Sequence, residues 1–295
     1  MSWHDREGSP FPQDVWDVID ATVRAAAEEV RAARRVVEVV GPLGFAARAG
    51  VAEDRPARGE GPARGPEEAG SARRRGEGEA RAILDEADVA PHVHVPAVQV
   101  MPVIHRTFSL GARAVEAFLA RGEPLGSTEA AEAARQVARA EERLLVEGHA
   151  AAGVRGLLDQ PGALQLRAGD WSDPGRAADE LLAALAQLDA AGRHGPYAAA
   201  VSPARFYQLL RPHPASGVSP LEQLRPAFTG GIVKAPTLAD GAIVVVRSGS
   251  GPRAIVGEEL AAAYDGREGI FHRISLVESV TLQPGVPGSV AVLRG

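Results

Sequence analysis

Arg34-Arg35-Val36-Val37-Glu38-Val39-Val40-Gly41-Pro42-Leu43-Gly44-Phe45 sets three local signals side by side. Val36, Val37, Val39 and Val40 are β-branched, and branching at Cβ favours extended backbone. The spacing predicts a strand over 36–40. Gly41-Pro42-Leu43-Gly44 ends it, because proline removes an amide donor and glycine opens backbone that other residues avoid. Upstream, 14–35 reads as a helix: Val15, Ile19, Val23, Ala26 and Val30 recur at helical spacing with Asp and Arg between them.

Downstream, residues 51–82 change character. Ala, Arg, Gly, Glu and Pro dominate, aromatics are missing, and Arg73-Arg74-Arg75 lies among several Glu. This composition buries too little apolar surface to order itself, which predicts a solvated excursion or arm. From 91 to 108 the pattern turns β-like, with Val93, Val95, Val98, Val100, Val103 and Ile104 separated by His, Pro and Gln. Pro91, Pro96 and Pro102 cannot donate to a ladder, so the segment is a ribbon or edge strand, not a central one. A β-arm with nothing of its own to pair with needs a partner, the first physical hint of assembly.

Helices resume at 109–121 and 127–148, the second with a stripe of Ala130, Ala134, Val137 and Leu144. Another spans 173–191, with Pro174 in its first turn and Leu181, Leu182, Leu185 and Leu188 as its apolar stripe. A buried strand at 197–201 and a short helix at 203–210 lead into a loop at 211–220. The chain ends strand-rich, at 242–246, 253–256, 273–282 and 289–293, with Gly249-Ser250-Gly251 reading as a hairpin turn. Helices and strands mix without strict βαβ alternation, so the class is α+β.

The 295 residues are long enough for a sizeable core, and no apolar run approaches the roughly 20 residues of a membrane helix. The start, Met1 to Glu7, has no signal-peptide core, so a cytoplasmic protein without a membrane partner is expected. Cysteine is absent, which excludes disulfides and thiolate chemistry. The net charge of -6 gives no general footprint for nucleic acid, and Lys234 is the only lysine. No phosphate loop, dinucleotide glycine pattern, zinc-helix motif or nucleophile elbow occurs. His92 and His94, two apart with His105 nearby, lack a further ligand at fixed spacing. Glu141 and Glu142, adjacent on a helix, point in different directions and read as a solvated face with Arg139 and Arg143 as partners. No catalytic residue, metal or cofactor is expected.

Against this background the quoted stretch, after its amphipathic helix, resembles the signature of the encapsulins. Further matches follow in order. Pro102-Val103-Ile104 before Thr107-Phe108-Ser109-Leu110 is similar to the base of the family's extended loop. Ala140-Glu141-Glu142-Arg143 before Gly148, then Gly153-Val154-Arg155-Gly156-Leu157-Leu158, resembles its spine helix and the turn after it. Gly195-Pro196-Tyr197 and Ser202-Pro203-Ala204-Arg205-Phe206-Tyr207 resemble its axial domain. Tyr264-Asp265-Gly266-Arg267-Glu268 and Leu276-Val277-Glu278-Ser279 resemble its closing strands.

The resemblance implies an HK97-type, phage-capsid-like fold. It divides the chain into the N-terminal helix and start of a peripheral domain (1–50), an extended loop (51–108), the peripheral domain with its spine helix (109–160), an axial domain (161–250) and closing peripheral strands (251–295). It implies a homo-oligomeric icosahedral shell, sixty copies or a multiple, in the cytoplasm. It implies a cargo enzyme, ferritin-like or a dye-decolorising peroxidase, docked by a C-terminal targeting peptide, and with the former a role in iron storage. Docking is expected at Val30, Arg34, Glu38, Leu260, Ala262 and Tyr264, with Arg34 and Glu38 orienting the peptide. His213, Ala215, Ser216 and Gly217 are expected to line an axial pore, where converging histidines gain charge on acidification. Some members bind a flavin beside a Trp; 109–114 holds none, so no flavin is carried over. The alternatives are a phage or prophage capsid protein and, more remotely, a protease- or bacteriocin-like hydrolase.

Overall fold

The computed structural model describes residues 6, 8–51 and 98–295. Met1–Gly50 and Gln99–Gly295 form one compact unit; Val51–Val98 form another, of which only the two end residues are described. The expected Arg-rich excursion, and His92 and His94, therefore lie outside the described residues.

In chain order the elements are α1 (Gln13–Glu28), α2 (Ala33–Val36), β1 (Glu38–Val40), β2 (Ala49–Val51), β3 (Val98–Val100), β4 (Val103–Gly111), α3 (Ala112–Arg121) and α4 (Thr128–Val146). There follow β5 (Gly148–His149), β6 (Val154–Arg155), β7 (Leu164–Arg167), α5 (Pro174–Ala190), β8 (Tyr197–Val201), α6 (Pro203–Leu209) and α7 (Pro220–Leu224). The last are β9 (Gly231–Lys234), β10 (Ala242–Val246), β11 (Arg253–Glu268), β12 (Phe271–Gln283) and β13 (Val290–Arg294).

Two larger sheets carry the fold, in the orders β1-β11-β12-β4 and β7-β13-β10-β8-β9. Tyr-Ala-Ala-Ala-Val and Ala-Ile-Val-Val-Val, the sequences of β8 and β10, are buried at every position. A continuous apolar run is what a strand covered on both faces requires. Because side chains alternate, Ala198, Ala200, Ile243 and Val245 enter a core shared with the first sheet. Ala199, Val201, Val244 and Val246 enter a second core under α5. A third core seats α1 and α4 on β4, β11 and β12. In α5, Leu181, Leu185 and Leu188 face the sheet and Leu182 turns out, because a helical stripe follows i, i+4, i+7. Asp173 caps this helix by accepting from the Gly175 amide at 3.0 Å.

Several expectations are corrected. The single helix over 14–35 is broken at 29–32, and residues 33–36 form a helical turn, so the strand begins at Glu38. The buried ion cluster described below captures Arg31 at this break. Residues 103–108, expected within an unpaired loop, pair antiparallel with β12 from Val103↔Ser279 to Phe108↔Ile274. The strand-forming register continues to Gly111, so α3 starts only at Ala112. Gly249-Ser250-Gly251 closes no hairpin: β10 pairs with β8 and β13, while β11 belongs to the other sheet. Within 251–295, β11 and β12 lie in the four-stranded sheet and β13 lies between β7 and β10 in the five-stranded one.

The quoted stretch runs along β11. Glu38, Val39 and Val40 register in parallel with Arg253, Ala254 and Ile255, and the Leu43 and Gly44 amides then donate to Val256 and Gly257 at 3.0 and 2.7 Å. Gly41 sits at φ +124, where a Cβ would lie 2.3 Å from the Val256 carbonyl oxygen. Gly41→Ala is therefore expected to cost about 2 kcal/mol or more, from the left-handed backbone and the clash together. A lower urea midpoint than wild type, measured on the purified protein, checks this.

Candidate functional site

Four elements meet at one buried cluster of charge. Arg31, in the turn between α1 and α2, is 7% exposed. Its Nε donates to Glu141 Oε2 of α4 at 2.7 Å and its Nη2 to Glu278 Oε1 of β12. Arg34 donates from Nε to Glu141 Oε1, from Nη1 to Glu259 Oε2 of β11 at 2.7 Å, and from Nη2 to Glu278 Oε1 at 2.5 Å. Glu141 and Glu278 have no exposed surface. The guanidinium fork explains why arginine fills both positions: each bridges several carboxylate oxygens at fixed angles, which an ammonium cannot do.

The solvated-face reading of Glu141 and Glu142 is thus overturned. Neighbouring helix positions do diverge, but each side of α4 here meets protein. Glu141 meets the arginines. Glu142 accepts from the Ala32 and Ala33 amides, both at 2.8 Å, and from Thr237 Oγ1 at 3.4 Å. The amides open α2 and have no intrahelical acceptor, so Glu142 supplies one from another helix.

Burial and the nearby Glu141 push Glu278 up to about 8, against the pull of Arg31 and Arg34. Burial pushes Glu142 up to about 7, against its amide donors. For Arg31 burial opposes the charge, and Glu141 and Glu278 outweigh it and hold the guanidinium above its ordinary value. Both raised carboxyls bind protons more tightly in the fold than in the unfolded chain. Their stabilising contribution is complete below the ordinary value of 4.5 and lost as pH rises through about 7 and about 8.

The six expected docking residues do not converge on one groove. Val30 lines a cleft of about 440 Å³ with Glu29, Arg135, Arg139, Arg143, Pro236 and Thr237. Leu260 lines a different cleft of about 390 Å³, with Arg6, Asp20, Val23 and Arg24 among its walls. Ala262 is fully buried, and its carbonyl accepts from Arg6 Nη2 at 3.0 Å. Tyr264 packs edge-on against Phe11 at 5.5 Å, and its hydroxyl meets His272 Nδ1 at 3.1 Å. Arg34 is engaged by three carboxylates, and Glu38 is exposed on β1. The arginines of the Val30 cleft escape the sequence reading. Their spacing of four on α4 is a legible signal, but the opposite wall comes from 236–237, a hundred residues away in sequence.

The loop before α7 is closed on itself. The His213 amide donates to the Val218 carbonyl at 2.9 Å and the Gly217 amide to the His213 carbonyl at 2.8 Å. His213 Nδ1 accepts from the Ala215 amide at 3.2 Å, and Ser216 Oγ from the Val218 amide at 3.3 Å. Ala215, Ser216 and Gly217 are exposed and His213 is half-buried. His105 Nε2 lies 3.1 Å from Ser275 Oγ, which donates to Asp265. Among the described residues no three His, Asp or Glu side chains are placed to hold a metal.

Comparison with known proteins adds the following. A family described as "Encapsulating protein for peroxidase" matches residues 1–281. The type 1 encapsulin shell protein EncA of Myxococcus xanthus is 28% identical over 288 residues, 97% of this chain and 94% of the relative. The virus-like particle from Pyrococcus furiosus superposes with a TM-score of 0.69 at 18% identity, over 95% of this chain and 99% of that one. The capsid of Myoviridae phage XM1 superposes with a TM-score of 0.55 at 12% identity, over 87% and 88%. These last two likenesses establish the capsid fold.

Arg31→Ala leaves two buried carboxylates short of a cation and is expected to cost about 3–5 kcal/mol. Because the Glu278 carboxyl gains a proton as pH falls through about 8, the loss is smaller at pH 5.5 than at pH 8.5. Urea midpoints of wild type and variant at the two pH values check both the size and the sign.

Proposed function

The chain belongs to the encapsulin shell-protein family, and from that premise we propose how its own surfaces serve the shell. Encapsulin subunits assemble into closed particles around cargo, and the family's description names a peroxidase as what is enclosed. In our reading this chain takes its cargo through the cleft beside Val30. That cleft carries the proposal because it joins an apolar floor, Val30 and Pro236, to a row of arginines at 135, 139 and 143. An extended peptide with small apolar side chains and a carboxylate fits both parts, the first by burial and the second by charge. Arg135 is paired with Glu29 at 2.9 Å, and Arg139 lies 3.6 Å from Glu132. Arg143, one turn further along, is exposed.

Of the originally expected docking residues, Val30 forms this cleft directly. Arg34 holds the turn that presents Val30, so its role is positioning. Leu260, Ala262 and Tyr264 pack in the core that seats α1. The shell is proposed to work in the cytoplasm without catalysis of its own, and a ferritin-like or peroxidase cargo supplies the chemistry. The hydrolase alternative finds its best candidate in Ser275, and the order of bonds speaks against it. Ser275 donates to Asp265 instead of being activated by a histidine held by that carboxylate, and it is 3% exposed.

The His213 loop is proposed as the pore rim. Its imidazole Nδ1 is the acceptor for the Ala215 amide, so a change at His213 bears on the shape of the rim.

Three measurements test this reading. Particles purified from the native host are expected to hold one dominant protein, identified by mass spectrometry. A fluorescent protein carrying that cargo's C-terminal thirty or so residues is expected to be retained by wild-type shells. Arg139→Glu with Arg143→Glu should cut retention at least tenfold while electron micrographs still show intact shells; unchanged retention would refute the groove. For the pore, His213→Ala is expected to flatten the pH dependence of ion entry, read with a trapped metal-sensitive dye.

A further inference from the structure

The compact unit breaks off at Gly50 and resumes at Gln99. The flanks on either side, 45–49 and 99–103, are exposed or half-buried at every position but one. That one is Met101, 5% exposed, between Val100 at 50% and Val103 at 53%. Backbone bonds reach the sheet only at the outer ends of the flanks. The Leu43 and Gly44 amides donate to β11, and Val103 opens the ladder with β12. In between, the Met101 amide donates to the Arg48 carbonyl at 3.0 Å, which ties the flanks to each other and not to the sheet. Gln99 reaches the Gly153 carbonyl only through its side chain, at 3.5 Å.

The Met101 side chain enters a socket in β11. Val256 pairs with Val280 and Glu258 with Ser279, so β11 advances two residues where β12 advances one, and Gly257 is the extra residue of a bulge. Gly257 is not in left-handed backbone, so its φ does not call for glycine. The space does: a Cβ there would overlap Met101 Sδ and Ser279 Oγ. Ser279 is fully buried, and its Oγ already accepts from the Glu258 amide at 2.8 Å. The Gly257 carbonyl accepts from the Gly44 amide at 2.7 Å. One glycine therefore meets both the turn that leads into the first flank and the buried side chain of the second. An unbranched thioether suits such a gap, because its torsions follow an irregular wall.

We propose that Met101 is the pin that fixes both flanks on the sheet, and that Met101 and Gly257 are positioning residues for assembly of the shell. Residues 51–98 begin and end on these flanks, so their contacts in a shell are placed through them. A closed assembly repeats each contact in every copy, so a small error of direction at one junction accumulates round the particle. The role goes beyond the docking reading and does not depend on the Val30 cleft.

Hydrogen exchange and electron microscopy of the full-length protein test the pin. Met101→Ala and Gly257→Ala are each expected to speed exchange of the amides at 44 and 101 at least about tenfold, while the β4 amides bonded to β12 stay within about twofold. Each is also expected to cut the fraction of closed shells at least about tenfold. Because both changes break one contact, the double variant is expected to exchange no faster than the faster single variant. Met101→Leu, close in volume, is expected to stay within about twofold of wild type in both readouts. Three results would each overturn the proposal: unchanged exchange in Met101→Ala, effects that multiply in the double variant, or shells that close as in wild type although the flanks are loosened. Should the alanine variants lose the β4–β12 protection as well, the wild-type protein decides. Its amides at 44 and 101 are expected to be protected at least about tenfold beyond the random-coil rate, and less protection than that at 101 would equally overturn the pin.

Discussion

Two arginines held between buried carboxylates tie this subunit together. Arg31 and Arg34 lie in a short stretch joining α1 to β1, yet their guanidiniums reach α4, β11 and β12. None of these contacts is local in sequence. A buried cluster of this kind adds little net stability over a well-packed apolar alternative, since desolvation offsets most of the attraction. Its effect is on geometry: any shift of the α1–α2 turn leaves a charge without its partner. The break in the N-terminal helix, the direction in which β1 leaves it, and the position of Val30 all follow from where these two side chains must go.

The same constraint links the sheets. β1 runs beside β11, and the turn after it continues the contact through the Leu43 and Gly44 amides. Val36 and Val37 enter the core that the two sheets share. The ion cluster thus sits at the edge of the main apolar core, where each charged group makes at least one hydrogen bond, Glu278 through Oε1 alone. Glu142 is the exception in charge, though not in hydrogen bonding. Burial pushes its carboxyl up to about 7, against the amides that donate to it.

For a shell subunit, the consequence is that one face does two things. The turn at 29–33 is anchored from beneath by charge and presents Val30 to the cleft above it. The arginines of α4 that face the cleft are separate from those of the buried cluster. Changes at Arg135, Arg139 or Arg143 therefore leave the buried ion pairs in place, while changes at Arg31 or Arg34 break them.

Much of this was legible in the chain alone. Apolar periodicity placed α1, α4 and α5, β-branched runs placed β8 and β10, and the order of local motifs from Arg34 to Ser279 indicated the family. These signals are short-range, so a sequence carries them openly. The fate of Glu141 and Glu142 was not legible. On a helix their neighbours in sequence are Arg139 and Arg143, and the partners that bury them come from positions 95 to 110 residues away. The strand after Gly251 reads as half of a hairpin because adjacency in sequence suggests pairing; only the packing of two sheets sends it elsewhere. The sequence by itself determined which elements form and what kind of assembly they serve. The tertiary structure alone decided which charges are buried and which residues share a cleft, because both depend on surfaces brought together across the whole chain.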